Sequence, residues 1–160
     1  MPEIKINFDE ILDRNLLSSE ELELLNRAEE ILETAYAPYS KFNVGASILL
    51  EDGTYVSGNN QENASFPCGI CAERVALFAT KANNPQLKIK KIAITTKSEQ
   101  FKTAIPIAPC GMCRQVLFEY EEQQKEPLEI LLFNETKILK FKQAKDLLPL
   151  HFSGDRLKRK

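Results

Sequence analysis

Histidine is nearly missing from this chain of 160 residues, which carries one, His151, close to its C-terminus. One imidazole excludes an all-histidine metal site and leaves serine and thiol nucleophile mechanisms with little support. Long apolar runs are missing too. None approaches the roughly 20 residues that span a bilayer, and Met1-Pro2-Glu3-Ile4-Lys5 lacks the basic-then-apolar profile of a signal peptide. Nor is there a charge excess: 21 Lys and Arg stand against 23 Asp and Glu, for a net charge of -2. Such a surface offers no broad attraction to a polyanion, which disfavours nucleic acid or an anionic membrane as partner. The exception is the basic tail Arg156-Leu157-Lys158-Arg159-Lys160, read as a solvated terminus. Internal repeats, low-complexity segments and linkers are also lacking. The expectation is a cytoplasmic protein with one domain over residues 1–160, of which 1–17 form an N-terminal extension, with 43% hydrophobic residues to build a core.

What the chain does have is a concentrated set of thiols. All four cysteines lie in two stretches, Pro67-Cys68-Gly69-Ile70-Cys71-Ala72-Glu73-Arg74 and Pro109-Cys110-Gly111-Met112-Cys113-Arg114. In a reducing compartment, paired Cys-x-x-Cys motifs serve metal binding or catalysis more often than structural disulfides.

The remaining pattern places these stretches on secondary structure. Ser18 with Glu21 fits a capping box, and Leu24, Leu25, Ala28, Ile31, Leu32 and Ala35 continue at helical spacing, predicting a helix over about 19–36 that Pro38 would end. Residues 44–50 read as a strand, and Asp52-Gly53 predicts a tight hairpin returning through 54–58. A helix from Cys71 to about 82, apolar nearly all round, reads as buried. A strand over 87–96, a helix from Cys110 to about 121 and a strand over 128–133 imply a right-handed parallel crossover. Residues 138–141 then return antiparallel, and Asp146-Leu147-Leu148-Pro149 closes the chain with a short helix or turn. The expected architecture is α/β: three layers, with a five-stranded mixed sheet between helices.

Cys110 and Cys113 are three residues apart, so on a helix they share a face, and at its first turn the dipole and free N–H groups favour the thiolate form that binds metal. Cys71 opens the other helix in the same way. Two such helix ends facing one another could give three sulfurs to a tetrahedral zinc and leave its fourth position for water. Zinc lowers the pKa of bound water from about 15.7 to the neutral range, but thiolate ligands oppose this by donating charge. Arg74 is placed to offset that donation by hydrogen-bonding the thiolates. Glu73, two residues past Cys71, lies on a different helical face from a ligand. It can still reach the water as a proton shuttle. Asn59-Asn60-Gln61-Glu62-Asn63, between a strand end and the first thiol stretch, offers donors and acceptors for a ligand.

Cys-Ala-Glu followed by Pro-Cys-Gly-x-Cys-Arg matches the zinc-deaminase signature. The chain resembles the short, tetrameric cytidine deaminases through Tyr36–Phe42, Val44-Gly45-Ala46, Asn60–Ala64, Cys71–Arg74, Ala76-Leu77-Phe78 and Pro109–Val116. The resemblance implies a cytidine deaminase-like fold and one zinc per chain on Cys71, Cys110 and Cys113, with Glu73 moving protons. It further implies ribose hydroxyls on Asn60 and Glu62, Phe42 on the pyrimidine side, and Phe152 closing a neighbouring subunit's site in a homotetramer. The implied reaction is hydrolytic deamination of cytidine or deoxycytidine in pyrimidine salvage, with a related aminonucleoside as the nearest other substrate. The chain departs from the family's usual pattern at Asn43, in place of proline, at Phe66, in place of tyrosine, and at Pro67 and Cys68. Cys68 completes a second Cys-x-x-Cys and so opens a rival reading, a closed four-thiolate structural zinc module in which Glu73 has no task. A thiol-disulfide oxidoreductase is a further rival that fits the Pro-Cys and Cys-Ala-Glu contexts less well.

Overall fold

The computed structural model describes residues 1–100, 102 and 104–157; the end of the basic tail, 158–160, lies outside them. Its elements run β1 (Asp9–Ile11), α1 (Ser19–Leu32), β2 (Phe42–Leu50), β3 (Tyr55–Asn59), α2 (Ala72–Asn83), β4 (Ile89–Ser98), α3 (Gly111–Gln124), β5 (Glu129–Phe133) and β6 (Ile138–Phe141). The strands form one sheet in the order β1-β6-β5-β4-β2-β3, in which β4 and β5 are parallel and every other pair is antiparallel.

Alternation along the central strands decides which helix lies on which face. Ile48 and Leu50 of β2, Ile92 and Ile94 of β4, and Ile130 and Leu132 of β5 point to the side covered by α2 and α3, where they meet Ala72, Ala76, Leu77 and Leu117. Leu49, Ala93, Leu131 and Phe133 point to the other side, where α1 covers them with Leu24, Leu25 and Ala28. Two glycines let the helices close on the sheet. A Cβ at Gly45 would stand 2.0 Å from the Ala28 carbonyl oxygen of α1, and one at Gly58 would stand 2.6 Å from the Ala76 nitrogen of α2.

Three expectations are corrected. The sheet has six strands, because part of the 1–17 extension pairs antiparallel with β6 along Asp9–Lys140, Glu10–Leu139 and Ile11–Ile138. Phe8 follows onto the same edge, with its ring 5.2 Å from that of Phe141. Helix α1 stops at Leu32, well before Pro38, because tertiary contacts take over its last carbonyls. Asn59 Nδ2 donates to Ile31 O at 3.0 Å and Asn43 Nδ2 to Leu32 O at 3.4 Å. The strands β3 and β4 also sit about one to two residues later than their apolar runs suggest. The hairpin forms at Asp52-Gly53, with Gly53 at φ 89° and Asp52 Oδ1 accepting from Thr54 N. The parallel crossover through α3 is present, and the closing segment is a single helical turn, Ala144–Leu147.

Candidate active site

The thiol stretches occupy the start of α2 and the start of α3. Cys71 is the N-cap of α2 and Cys110 the N-cap of α3, while Cys113 sits in the first turn of α3. Extended backbone at both caps (ψ 152° and 165°) turns the chain into the helix at the cysteine itself. The free N–H groups of each first turn therefore lie at the cysteine end of the helix, although neither N-cap sulfur accepts a capping bond. A short backbone ladder holds Cys71 in register with the polar loop: Tyr36 bridges Gln61, and Gln61 bridges Ile70, with N–H···O distances of 3.0 and 2.9 Å in the second bridge.

The three sulfurs converge. Cys71 Sγ lies 3.9 Å from Cys110 Sγ, Cys110 Sγ lies 3.5 Å from Cys113 Sγ, and all three fall within 4.8 Å of one another. Cys68 does not belong to this group; it is exposed in the helical turn Phe66–Cys68. The four-thiolate arrangement is therefore not what the fold brings together.

The chemistry of the donor set fits a divalent cation. Without one, the hydrogen bond from Cys113, opposed by burial and aided by Arg74 and Cys110, brings the Cys71 thiol down to about 5. The Cys71 thiolate and burial then drive Cys113 upward. The cluster readily accepts its first negative charge and resists a second, a conflict that a soft cation among thiolates removes. Arg74 donates from Nη2 to Cys71 Sγ at 3.8 Å, and its Nε is buried with no partner atom. Burial opposes the Arg74 charge, but the Cys71 and Cys113 sulfurs outweigh burial and raise its pKa. The guanidinium therefore stays charged beside the sulfurs.

Glu73 is 4% exposed. Burial lifts its carboxyl above the ordinary value against a hydrogen bond from its own backbone N–H; the Cys71 charge adds to burial, and Cys113 and Arg74 oppose it. A cavity of about 480 Å³ joins Glu73, Cys71 and Cys110 to Phe42, Asn60 and Glu62. Every residue expected to touch substrate from this chain thus faces one space. Asn60 Oδ1 accepts from Val44 N at 2.8 Å and its Nδ2 donates to Phe42 O at 2.9 Å, which leaves one N–H and one lone pair of the amide for a ligand. Glu62 Oε2 accepts from Tyr39 N at 2.9 Å and Ser40 N at 3.3 Å. These donors, with the Ser40 hydroxyl and Lys41, outweigh desolvation and hold Glu62 below its ordinary value. Phe152 is not part of the cavity. It is 65% exposed, and its carbonyl accepts from Gln115 Nε2 at 2.9 Å. His151 stacks on Phe118 at 3.9 Å, away from the cluster. Sequence reasoning missed Ile107 and Ala108 in the cavity lining, although they immediately precede Pro109-Cys110.

Fold and cluster together define an α/β protein with a thiolate metal centre at two helix N-termini and a buried carboxylate beside it. The family profile described as "Cytidine and deoxycytidylate deaminase zinc-binding region" matches residues 18–125, and the chain belongs to this zinc-binding family. It is 40% identical over 97 residues to the cytidine deaminase of Sporosarcina psychrophila, covering 61% of this chain and 67% of that one. To the cytidine deaminase of Halalkalibacterium halodurans it is 41% identical over 96 residues, covering 60% and 68%. Among solved structures, the cytidine deaminase of Burkholderia pseudomallei aligns with a TM-score of 0.69 at 39% identity over 82% of this chain and 98% of the other. That of Mycobacterium tuberculosis aligns with a TM-score of 0.66 at 30% identity over 85% and 99%.

Proposed function

We propose that this chain catalyses the zinc-dependent hydrolytic deamination of cytidine and deoxycytidine, releasing ammonia and forming uridine or deoxyuridine. The observation that carries this reading is that the three-sulfur cluster, through Cys71 and Cys110, opens together with the buried Glu73 onto the cavity that Asn60 and Glu62 also line.

Cys71, Cys110 and Cys113 would hold the zinc, one per chain, with Arg74 drawing charge from the Cys71 sulfur. Zinc bound there supplies the Lewis acidity that brings water deprotonation into the neutral range. Glu73 takes one proton from the attacking water and passes it to the ring nitrogen, then takes the remaining hydroxyl proton and passes it to the amine as the C–N bond breaks, so that cytidine and water become uridine and ammonia in balance. Its raised pKa makes the carboxylate a stronger base than an ordinary glutamate, which suits it to take a proton from water. Phe42 supports the pyrimidine. Asn60 and the anionic Glu62 accept the sugar hydroxyls. Among the described residues no Lys, Arg or His lines the cavity, which favours a nucleoside over a phosphorylated nucleotide.

Residues 1–160 act as one catalytic domain, with 1–17 as an extension outside the matched family region. The exposed Phe152 and its exposed neighbour Leu150 support a homotetramer in which Phe152 closes the site of an adjacent subunit. The proposed setting is cytoplasmic pyrimidine salvage; among the described residues no helix is long and apolar enough to cross a membrane.

The test is an ultraviolet assay of ammonia release from cytidine, deoxycytidine and cytosine, with metal content measured on the same sample. Turnover of both nucleosides with about one zinc per chain is the expected result. A zinc-loaded protein inert toward all three would overturn the reading.

A further inference from the structure

Between α1 and β2 the chain makes a tight turn through Tyr39 and Ser40 whose geometry the deaminase mechanism leaves unused. Lys41 sits at φ 53°, a conformation that a residue with a side chain rarely adopts, and its N–H closes the turn on Ala37 O at 3.1 Å. The consequence is that two consecutive backbone N–H groups, those of Tyr39 and Ser40, converge on Glu62 Oε2. The Ser40 hydroxyl oxygen accepts the N–H of Phe42 at 3.1 Å. A hydroxyl that accepts one bond keeps its own hydrogen to donate, and the Glu62 carboxylate is the neighbouring acceptor. Ser40 itself lines the cavity together with Phe42 and Glu62.

We infer that Ser40 is a positioning residue for the sugar end of the cavity: its hydroxyl ties the Phe42 backbone to the Glu62 carboxylate and fixes the spacing between the base-supporting and sugar-binding walls. The turn supplies two donors to one carboxylate oxygen, and Ser40 links that carboxylate to the strand that carries the aromatic wall. The other oxygen, Oε1, receives neither backbone N–H. Without the Ser40 hydroxyl, Glu62 loses one donor and its tie to the Phe42 backbone, so the sugar-binding wall loosens while pairing with β4 still holds Phe42 in β2. The substrate in this inference rests on the deaminase reading; the link between Ser40, Phe42 and Glu62 does not.

The experiment uses zinc-loaded protein carrying Ser40→Ala or Ser40→Thr. Carbon-13 NMR follows the Glu62 carboxyl through its titration, assigned with Glu62→Gln, and steady-state kinetics compare cytidine with 2′,3′-dideoxycytidine. Ser40→Ala should move the Glu62 midpoint up toward the ordinary carboxylate value and raise KM for cytidine about tenfold with little change in kcat. Turnover of the dideoxy compound, which has no hydroxyl for Glu62 to hold, should stay as in the parent. Ser40→Thr keeps a hydroxyl and should restore both readouts. An unmoved Glu62 titration overturns the inference, and so do equal losses on both substrates, which a merely structural role would give. Parent protein inert toward cytidine, with a Glu62 midpoint that still follows the Ser40 hydroxyl, removes the deaminase reading and leaves the positioning role standing.

Discussion

Glu21 and Glu73 are buried to the same depth, at 5% and 4% exposure, and both belong to the first turn of a helix. Depth raises the pKa of each, yet they end on opposite sides of the ordinary value. Glu21 receives Lys140 Nζ at 2.6 Å, Lys91 Nζ at 2.7 Å and the Ser18 N–H at 3.0 Å. Against burial, those bonds from Lys140, Lys91 and Ser18 bring it down to about 2. Glu73 has burial as its leading influence and the Cys71 charge beside it, and it stays raised. Partners therefore decide what burial does. One carboxylate is fully engaged and locks α1 to β4 and β6, while the other keeps a raised pKa beside the sulfurs.

The sharpest test of that contrast is Glu73→Gln. It keeps the size of the side chain and its place at the start of α2 but removes the proton acceptor. Deamination should fall by about 10²–10⁴-fold, while zinc content measured by metal analysis stays at the parent level. The melting temperature should hold or rise, because a desolvated carboxyl has been replaced by a neutral amide. Turnover near the parent rate would take the proton-carrying role away from Glu73 and leave it a second structural carboxylate.

Glu21→Gln should give the reverse pattern. Glutamine can still accept the Ser18 N–H, so the capping box survives and the loss is confined to the charge facing Lys91 and Lys140. Breaking a buried pair from one side costs about 3 kcal/mol, or about 6–12 °C in melting temperature for a domain of this size. Cytidine turnover at 25 °C should be unchanged.

The pH dependence follows with a definite sign. A carboxyl lowered from 4.5 to about 2 on folding contributes stability in full above the unfolded value and loses it as pH falls toward the folded one. The gap in unfolding free energy between the parent and Glu21→Gln should therefore be widest near neutrality, begin to narrow below about pH 5 and close near pH 2. Chemical denaturation of both proteins across that range measures it. A gap that stayed constant with pH would mean that packing, not charge, distinguishes Glu21.

These two glutamates also show what the sequence can and cannot announce. Glu21 was legible as the partner of Ser18, because a capping box is written within four consecutive residues, and Asp52-Gly53 announced its hairpin for the same local reason. The lysines that make Glu21 unusual come from β4 and β6, 70 and 119 residues away, and no local pattern joins them. β1 escaped notice because a three-residue strand has no periodicity to read, and its existence depends on the edge of β6. Helix α1 looked longer than it is, since Asn43 and Asn59 reach its last carbonyls only after β2 and β3 have folded against it. The site was more legible. Cysteine spacing at two helix starts, with a glutamate beside one of them, named the cluster before any geometry. The shared cavity and the hold of Tyr39 and Ser40 on Glu62 emerged only once Gln61 bridged Tyr36 on one side and Ile70 on the other.

The smallest effect belongs to Cys68. It adds a second Cys-x-x-Cys to the sequence, yet Gly69 is extended at ψ 147° and Ile70 is held in a bridge to Gln61, so the chain runs straight from Cys68 to Cys71. An extended link of that length carries the two α-carbons well apart, since each residue advances about 3.3 Å, and a pair of ligands for one ion needs a bend there instead. Cys68→Ser should accordingly leave zinc stoichiometry, melting temperature and cytidine turnover at parent values. Loss of zinc in this variant would place a fourth sulfur on the metal. That would leave no position for the attacking water, and the raised Glu73 would have to be explained as burial alone.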